Sequence, residues 1–304
     1  MADSEYLSDL LRNDVRAWLG APGPSINQNA ASKKCQKATG SWFVQGQKFL
    51  QWKDGPNTFL WLHGFTGCGK TILCSSIVNN IYEHTASLAQ SALVFYYFDF
   101  SNQIKAQASS CLRSIVLQIA QRSSDITVLN NLHRVYATGT PPIDELLEVL
   151  RQMLQSFQRV YIVLDALDEC IEQEELFDLL TTMRHWRMES LCILVTSRDE
   201  PDIRNGLNPA KEQEVLLQNP AVDEDIVLFV VETLKNDRKL QEWSDMFPKI
   251  KESLTQGTKG MFRWVECQFQ ILHSCPSRGE VRRQLKELPE TLDKTYERIL
   301  RSVP

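Results

Sequence analysis

The sequence is short of most features that announce a protein's class. No apolar run approaches the roughly 20 residues of a membrane-spanning helix; the longest, 92–98 and 226–231, are far too brief. The first residues, Met1 to Tyr6, are acidic and carry no signal-peptide pattern, and no membrane partner is expected. Glycine (13) and proline (12) are sparse in 304 residues, which excludes a fibrous or low-complexity chain. Neither sign of charge dominates: 33 Lys and Arg face 38 Asp and Glu, a net charge of −5, which argues against a protein built to coat nucleic acid. None of the five histidines (63, 84, 133, 185 and 273) pairs with another at metal-ligand spacing. The eight cysteines include no C-x-x-C pair and lie scattered through apolar stretches, as small core residues do in a reducing, cytoplasmic compartment.

What is present is ordinary in amount, with 43% apolar and 23% charged residues, but ordered along the chain. An amphipathic helix is expected over residues 6–19, ended by Gly20 and followed by a polar linker at 25–37 and an aromatic patch, Trp42-Phe43. From Thr58 onward, short apolar runs alternate with helical periodicity. Strands are expected at 58–63, 92–98, 160–164, 191–195 and 214–217, with helices at 72–82, 106–121, 143–157 and 174–184. Continuous apolar strands imply a parallel sheet covered on both faces. After Pro220 the strand signal stops, and helices are expected at 223–235, 247–254, 261–272, 277–285 and 292–300. The expected fold is therefore α/β: a five-stranded parallel sheet flanked by helices, then an all-helical unit. Boundaries fall near 38, 219 and 290, the last residues opening a further domain.

Three of the few glycines crowd into six residues. Gly64-Phe65-Thr66-Gly67-Cys68-Gly69-Lys70-Thr71 follows an expected strand and precedes an expected helix, the setting of a phosphate-binding loop. Glycine lets successive backbone N–H groups approach phosphate oxygens, and the helix start adds its positive end. Lys70 would reach the β and γ phosphates, and Thr71 would place its hydroxyl on Mg²⁺. Gly64, Thr66, Gly67, Cys68, Gly69, Lys70, Thr71 and Ile72 are the candidate nucleotide contacts. A thiol among N–H groups invites a redox reading of Cys68; a small residue at a variable position is the simpler one.

Residues 159–169 carry carboxylates at the carboxyl end of a strand, where open α/β sheets bind ligands. Asp165, first after the apolar run, is the candidate metal holder, and Asp168 and Glu169 are candidates for activating water. Thr196-Ser197-Arg198 ends the next strand, and a guanidinium there suits a γ-phosphate.

Together, the glycine loop, the order Asp165-Ala166-Leu167-Asp168-Glu169 with a small residue after the first Asp, Thr196-Ser197-Arg198, and the segments 39–43, 259–265 and 288–296 resemble the NACHT family of STAND-class P-loop NTPases, found in NOD-like receptors and fungal incompatibility proteins. The resemblance implies a slow regulatory nucleoside triphosphatase whose nucleotide state controls conformation and self-association in innate-immunity or incompatibility signalling. ATP/ADP and GTP/GDP are both admissible, with Mg²⁺. It further implies phosphates on Gly67, Gly69, Lys70 and Thr71, metal on Thr71 and Asp165, water activation by Asp168 assisted by Glu169, and γ-phosphate sensing by Arg198. Trp42 and Phe43 lie where the family's base is gripped, although aromatics there more often belong to a core. Sensor and effector domains are expected outside these residues, so the sequence is a switch core or a short member. Two other readings fit the same loop, a phosphotransferase acting on a small acceptor and a scaffold that keeps its nucleotide without turnover. A DNA-remodelling role is disfavoured, because Arg278, Arg282, Arg283 and Lys286 are interleaved with Glu280 and Glu287.

Overall fold

The structure, a computed structural model, describes residues 13–36 and 39–301. Its strands are β1 (Thr58–His63), β2 (Ser91–Tyr97), β3 (Arg159–Asp165), β4 (Leu191–Ser197) and β5 (Glu214–Leu216). All pair in parallel, in the order β2-β3-β4-β1-β5. Successive strand residues point to opposite faces. Phe59, Trp61, Val94, Tyr96, Ile162 and Val195 thus enter one core, and Leu60, Leu62, Leu93, Tyr97, Val163 and Leu194 the other. Both faces are dry, which is why these strands read as unbroken apolar runs rather than alternating ones.

Helices α1 (13–19) and α2 (Ser25–Lys34) precede the sheet, followed by α3 (Ser41–Val44), α4 (Gln47–Asp54) and α5 (Lys70–Ala86). Residues of α3, α4 and α5 close the second core. The first core is closed by α1, α6 (Ala108–Ala120), α7 (Thr127–Val135), α8 (Ile143–Leu154), α9 (Gln173–His185) and α10 (Pro201–Leu207).

Most expected elements are present, with small shifts at their ends. The polar linker is instead the helix α2. Its apolar content is too low for an amphipathic stripe, and it is held by hydrogen bonds: Gln28 donates to Ser75 O at 3.2 Å and Asn79 Oδ1 at 2.9 Å, and accepts from the Tyr97 hydroxyl. Helices α4, α7 and α10 were not expected. The start of the helix expected at 6–19 lies outside the described residues.

Beyond β5, Asn219 caps α11 (Pro220–Asn236), its side chain accepting from Ala221 N at 3.1 Å and Val222 N at 3.3 Å, with Pro220 in the first turn. Then come a 3-10 segment (Leu240–Met246), α12 (Phe247–Gly257), α13 (Phe262–His273), α14 (Arg278–Lys286) and α15 (Leu292–Arg301). Their apolar faces meet in a third core around Trp264, which is fully buried and donates to Pro289 O at 2.9 Å. Trp264→Ala should leave a cavity and lower stability by about 3–5 kcal/mol, read as a fall in the denaturant midpoint. No helix among the described residues is long and apolar enough to cross a membrane.

Candidate nucleotide site

β1 runs out at His63, and Gly64 follows where other side chains come close. A Cβ on Gly64 would meet Cys68 Sγ at 2.9 Å and Leu217 Cβ at 3.3 Å. Gly67 and Gly69 take left-handed φ values of 84° and 95°, which side-chain-bearing residues rarely adopt, and α5 starts directly after them. Lys70 curls back under the loop, donating to Gly64 O at 2.8 Å and Phe65 O at 3.0 Å. Cys68 is almost wholly buried, and burial pushes its thiol up despite the charge of Lys70, which favours the simpler reading of a small packed residue.

The carboxyl ends of β1 and β3 lie one strand apart, with β4 between them. Thr196 of β4 uses this position, donating to Asp165 Oδ1 at 2.6 Å and accepting the Ala166 N–H at 3.0 Å. Asp165 is almost wholly buried, and this desolvation raises its carboxyl above the ordinary range against the hydrogen bonds from Thr196 and Thr71. Ala166 then adopts a left-handed conformation (φ 60°, ψ 52°), which gives a physical reason for a small residue there. A 3-10 turn follows that buries Leu167 in the core and carries the carboxylates of Asp168 and Glu169. Asp168 accepts from Arg198 twice, from the backbone N–H at 3.0 Å and from Nε at 2.6 Å. Glu169 accepts from Phe100 N–H at 3.1 Å, and its carboxyl is raised by burial.

Arg198, expected to face a γ-phosphate, is thus paired with the acid expected to activate water, and also lies 3.2 Å from Glu200. The ends of β3 and β4 are joined by this pair.

These groups border a cavity of about 670 Å³. Thr66, Gly67, Cys68, Gly69, Lys70, Thr71, Ile72, Asp168, Glu169 and Arg198 all line it, whereas Gly64 and Asp165 do not. Asp165 lies behind Thr71, near enough for that hydroxyl to favour its carboxylate form. Phe43 is a core residue, but Trp42 stands on the cavity wall.

The resemblance also implies a nucleotide held between the sheet unit and the following helical unit, but the residues that unit contributes were not singled out: Val222, Asp225, Phe229, Phe262, Arg263 and Glu266. Asp225 grips the segment before β1, accepting Gly40 N–H at 2.7 Å and Trp42 Nε1–H at 3.0 Å; burial holds its carboxyl above the usual range. Arg263 N–H donates to Gly67 O at 3.1 Å, and Phe262 packs so near Gly69 that a Cβ there would stand 3.1 Å from its ring. Arg263 and Phe262 lie in the segment 259–265 noted above; Asp225 carries no local signal.

The residues fit a Mg²⁺-nucleotide. Two left-handed glycines and a helix start border the cavity beside Lys70, and Thr71 supplies a hard oxygen donor with the buried Asp165 carboxyl behind it; Mg²⁺ needs few such donors because phosphates and water complete its shell.

A family model described as nephrocystin 3, N-terminal, matches residues 38–198. Over 278 residues the chain is 24% identical to the vegetative incompatibility protein HET-E-1 of Podospora anserina, covering 86% of this chain and 20% of that protein. The chain therefore spans about a fifth of the length of that relative. Among solved structures, Cdc6p from Pyrobaculum aerophilum superposes with a TM-score of 0.52 at 13% identity, covering 88% of this chain and 72% of that one, a likeness of fold alone. With the family model matching more than half of its length and the phosphate loop and acidic strand end in place, the chain belongs to the nephrocystin 3 N-terminal family and has the fold of a NACHT-type P-loop NTPase.

Proposed function

We propose that this protein is a nucleotide-dependent signalling switch that binds ATP or GTP with Mg²⁺, hydrolyses it slowly, and self-associates according to nucleotide state. The observation that carries the reading is that one cavity is walled by both the sheet unit and the helical unit, which touch through Asp225 and Arg263. A ligand there contacts both, so triphosphate and diphosphate can favour different arrangements, and only that difference in affinity shifts the population. Residues 39–219 would be the nucleotide-binding unit and 220–290 the helical unit that responds to it.

In this reading the loop N–H groups of Gly67 and Gly69, with Lys70 and Thr71, hold the phosphates. Thr71 and Asp165 hold Mg²⁺, which neutralises charge on the phosphate oxygens. Asp168 and Glu169 orient and deprotonate the attacking water, and Arg198 reports the γ-phosphate, trading its contact with Asp168 as the ligand is loaded or lost. The name of the relative HET-E-1 motivates an incompatibility-type pathway. The free cysteines, seven of them buried, suit a reducing cytoplasm.

The test is to denature the purified protein and identify any released nucleotide by chromatography, then to titrate stripped protein with ATP and GTP by calorimetry. A nucleoside diphosphate or triphosphate near one per chain is expected, with phosphate released from added triphosphate in the absence of any acceptor. No bound nucleotide and no heat with either triphosphate overturns the reading.

A further inference from the structure

Arg263 opens α13 at the mouth of the phosphate loop. Its backbone N–H is anchored on Gly67 O at 3.1 Å, and a Cβ placed on Gly67 would lie only 2.8 Å from its own. The side chain lines the cavity and is 40% exposed. Its guanidinium is shared between two partners, Nη1 donating to Glu266 Oε2 at 2.6 Å and Nε donating to the Tyr296 hydroxyl at 3.2 Å. Nη2 makes no hydrogen bond among the described residues. The edge formed by Nε and Nη2 is therefore held by one neutral phenol only, although it is the edge whose parallel donors match two oxygens of a phosphate.

Tyr296 belongs to α15, and the same helix sends Leu292 to within 3.6 Å of the Cβ position of Gly67. The phosphate loop and α15 thus meet at Arg263, the loop through its backbone and Cβ and α15 through its guanidinium. Of the other cations that line the cavity, Lys70 is turned onto two loop carbonyls, Arg198 onto the carboxylates of Asp168 and Glu200, and Lys34 comes from α2, so Arg263 is the one that the helical unit supplies.

We propose that Arg263 is a phosphate-binding residue supplied by the helical unit, and that a bound triphosphate draws its Nε–Nη2 edge away from Tyr296, releasing α15. The inference rests on the nucleotide site proposed above. A charged bidentate acceptor outcompetes a neutral hydroxyl for the same edge, while Nη1 stays on Glu266 and keeps the fork oriented. Occupancy of the terminal phosphate is thereby read on the last described helix. A diphosphate, shorter by one phosphoryl group, leaves Tyr296 in place.

Arg263→Gln keeps the backbone N–H on Gly67 and the aliphatic stem but removes the charged fork. With the full chain, calorimetry with MgATP and MgADP, or MgGTP and MgGDP if guanine is the base found, should show triphosphate affinity falling about 10- to 100-fold. Diphosphate affinity should change less than about 3-fold, since the cation meets the terminal phosphoryl group. Hydrogen exchange over 292–301 should rise on triphosphate binding to wild type and stay flat in Arg263→Gln. Tyr296→Phe should bind triphosphate as tightly as wild type or tighter and show fast exchange in that segment without ligand. Unchanged triphosphate affinity in folded Arg263→Gln, or equal loss for both nucleotides, overturns the inference while leaving the nucleotide site standing. Flat exchange on triphosphate in wild type overturns the link to α15. Wild-type protein that binds no nucleotide overturns the site and the inference together.

Discussion

Lys70→Ala should lose nucleotide through purification and bind MgATP or MgGTP roughly 30- to 4,000-fold more weakly than wild type, the effect of about 2–5 kcal/mol for removing one partner of a buried charge pair. The ammonium is already oriented beneath the loop by Gly64 O and Phe65 O, so in wild type little ordering is needed before it meets an anion. The substitution removes charge without touching either left-handed glycine or any of the three apolar cores. The thermal midpoint should therefore move little, and calorimetry on protein shown by melting to be folded checks both halves of the expectation. Wild-type affinity in folded Lys70→Ala would sink the assignment of the phosphate site.

Asp168→Asn should separate binding from turnover. An asparagine oxygen can still accept the Arg198 backbone N–H that Asp168 Oδ1 accepts at 3.0 Å, so the turn after β3 is preserved. The variant loses the negative charge that would take a proton from water, and its hold on the Arg198 side chain weakens. Single-turnover hydrolysis is expected to slow by about 10²- to 10⁴-fold, with nucleotide affinity within a few-fold of wild type. Because Glu169 sits one residue on and is tied to Phe100 N–H, Glu169→Gln serves as the comparison and should slow hydrolysis less. If the two substitutions exchange places in that order, Glu169 is the group that activates water and Asp168 is a holder for Arg198.

Why some of this was legible in the sequence and some was not follows from how far each feature reaches along the chain. The strands declared themselves because both faces of the sheet are buried, giving continuous apolar runs too short for helices and bounded by turn residues. The phosphate loop is written within eight consecutive residues, since backbone geometry and the lysine must act on the same anion. Asp165 could be placed from its position at a strand end, but its partner Thr196 comes from a neighbouring strand, and the pairing of Asp168 with Arg198 needs the sheet order, which no local pattern contains. Helix α2 escaped notice because it is held by the amide of Gln28 rather than by an apolar stripe. Asp225 is the plainest omission: a single acid on a helix of another unit, it resembles any surface carboxylate until Gly40 and Trp42 are seen to converge on it.

Those convergences bear on time as well as on binding. Two straps, Asp225 accepting from Gly40 and Trp42, and Arg263 donating to Gly67, tie the helical unit to the segment before β1 and to the phosphate loop. A nucleotide lodged behind them would leave only when both straps part, and the same parting would govern the entry of its replacement. Exchange would then be slow in both directions even where the loop itself is ready to receive phosphate, and the residence time of the spent nucleotide, more than its affinity, would set how long the protein keeps a memory of its last signal.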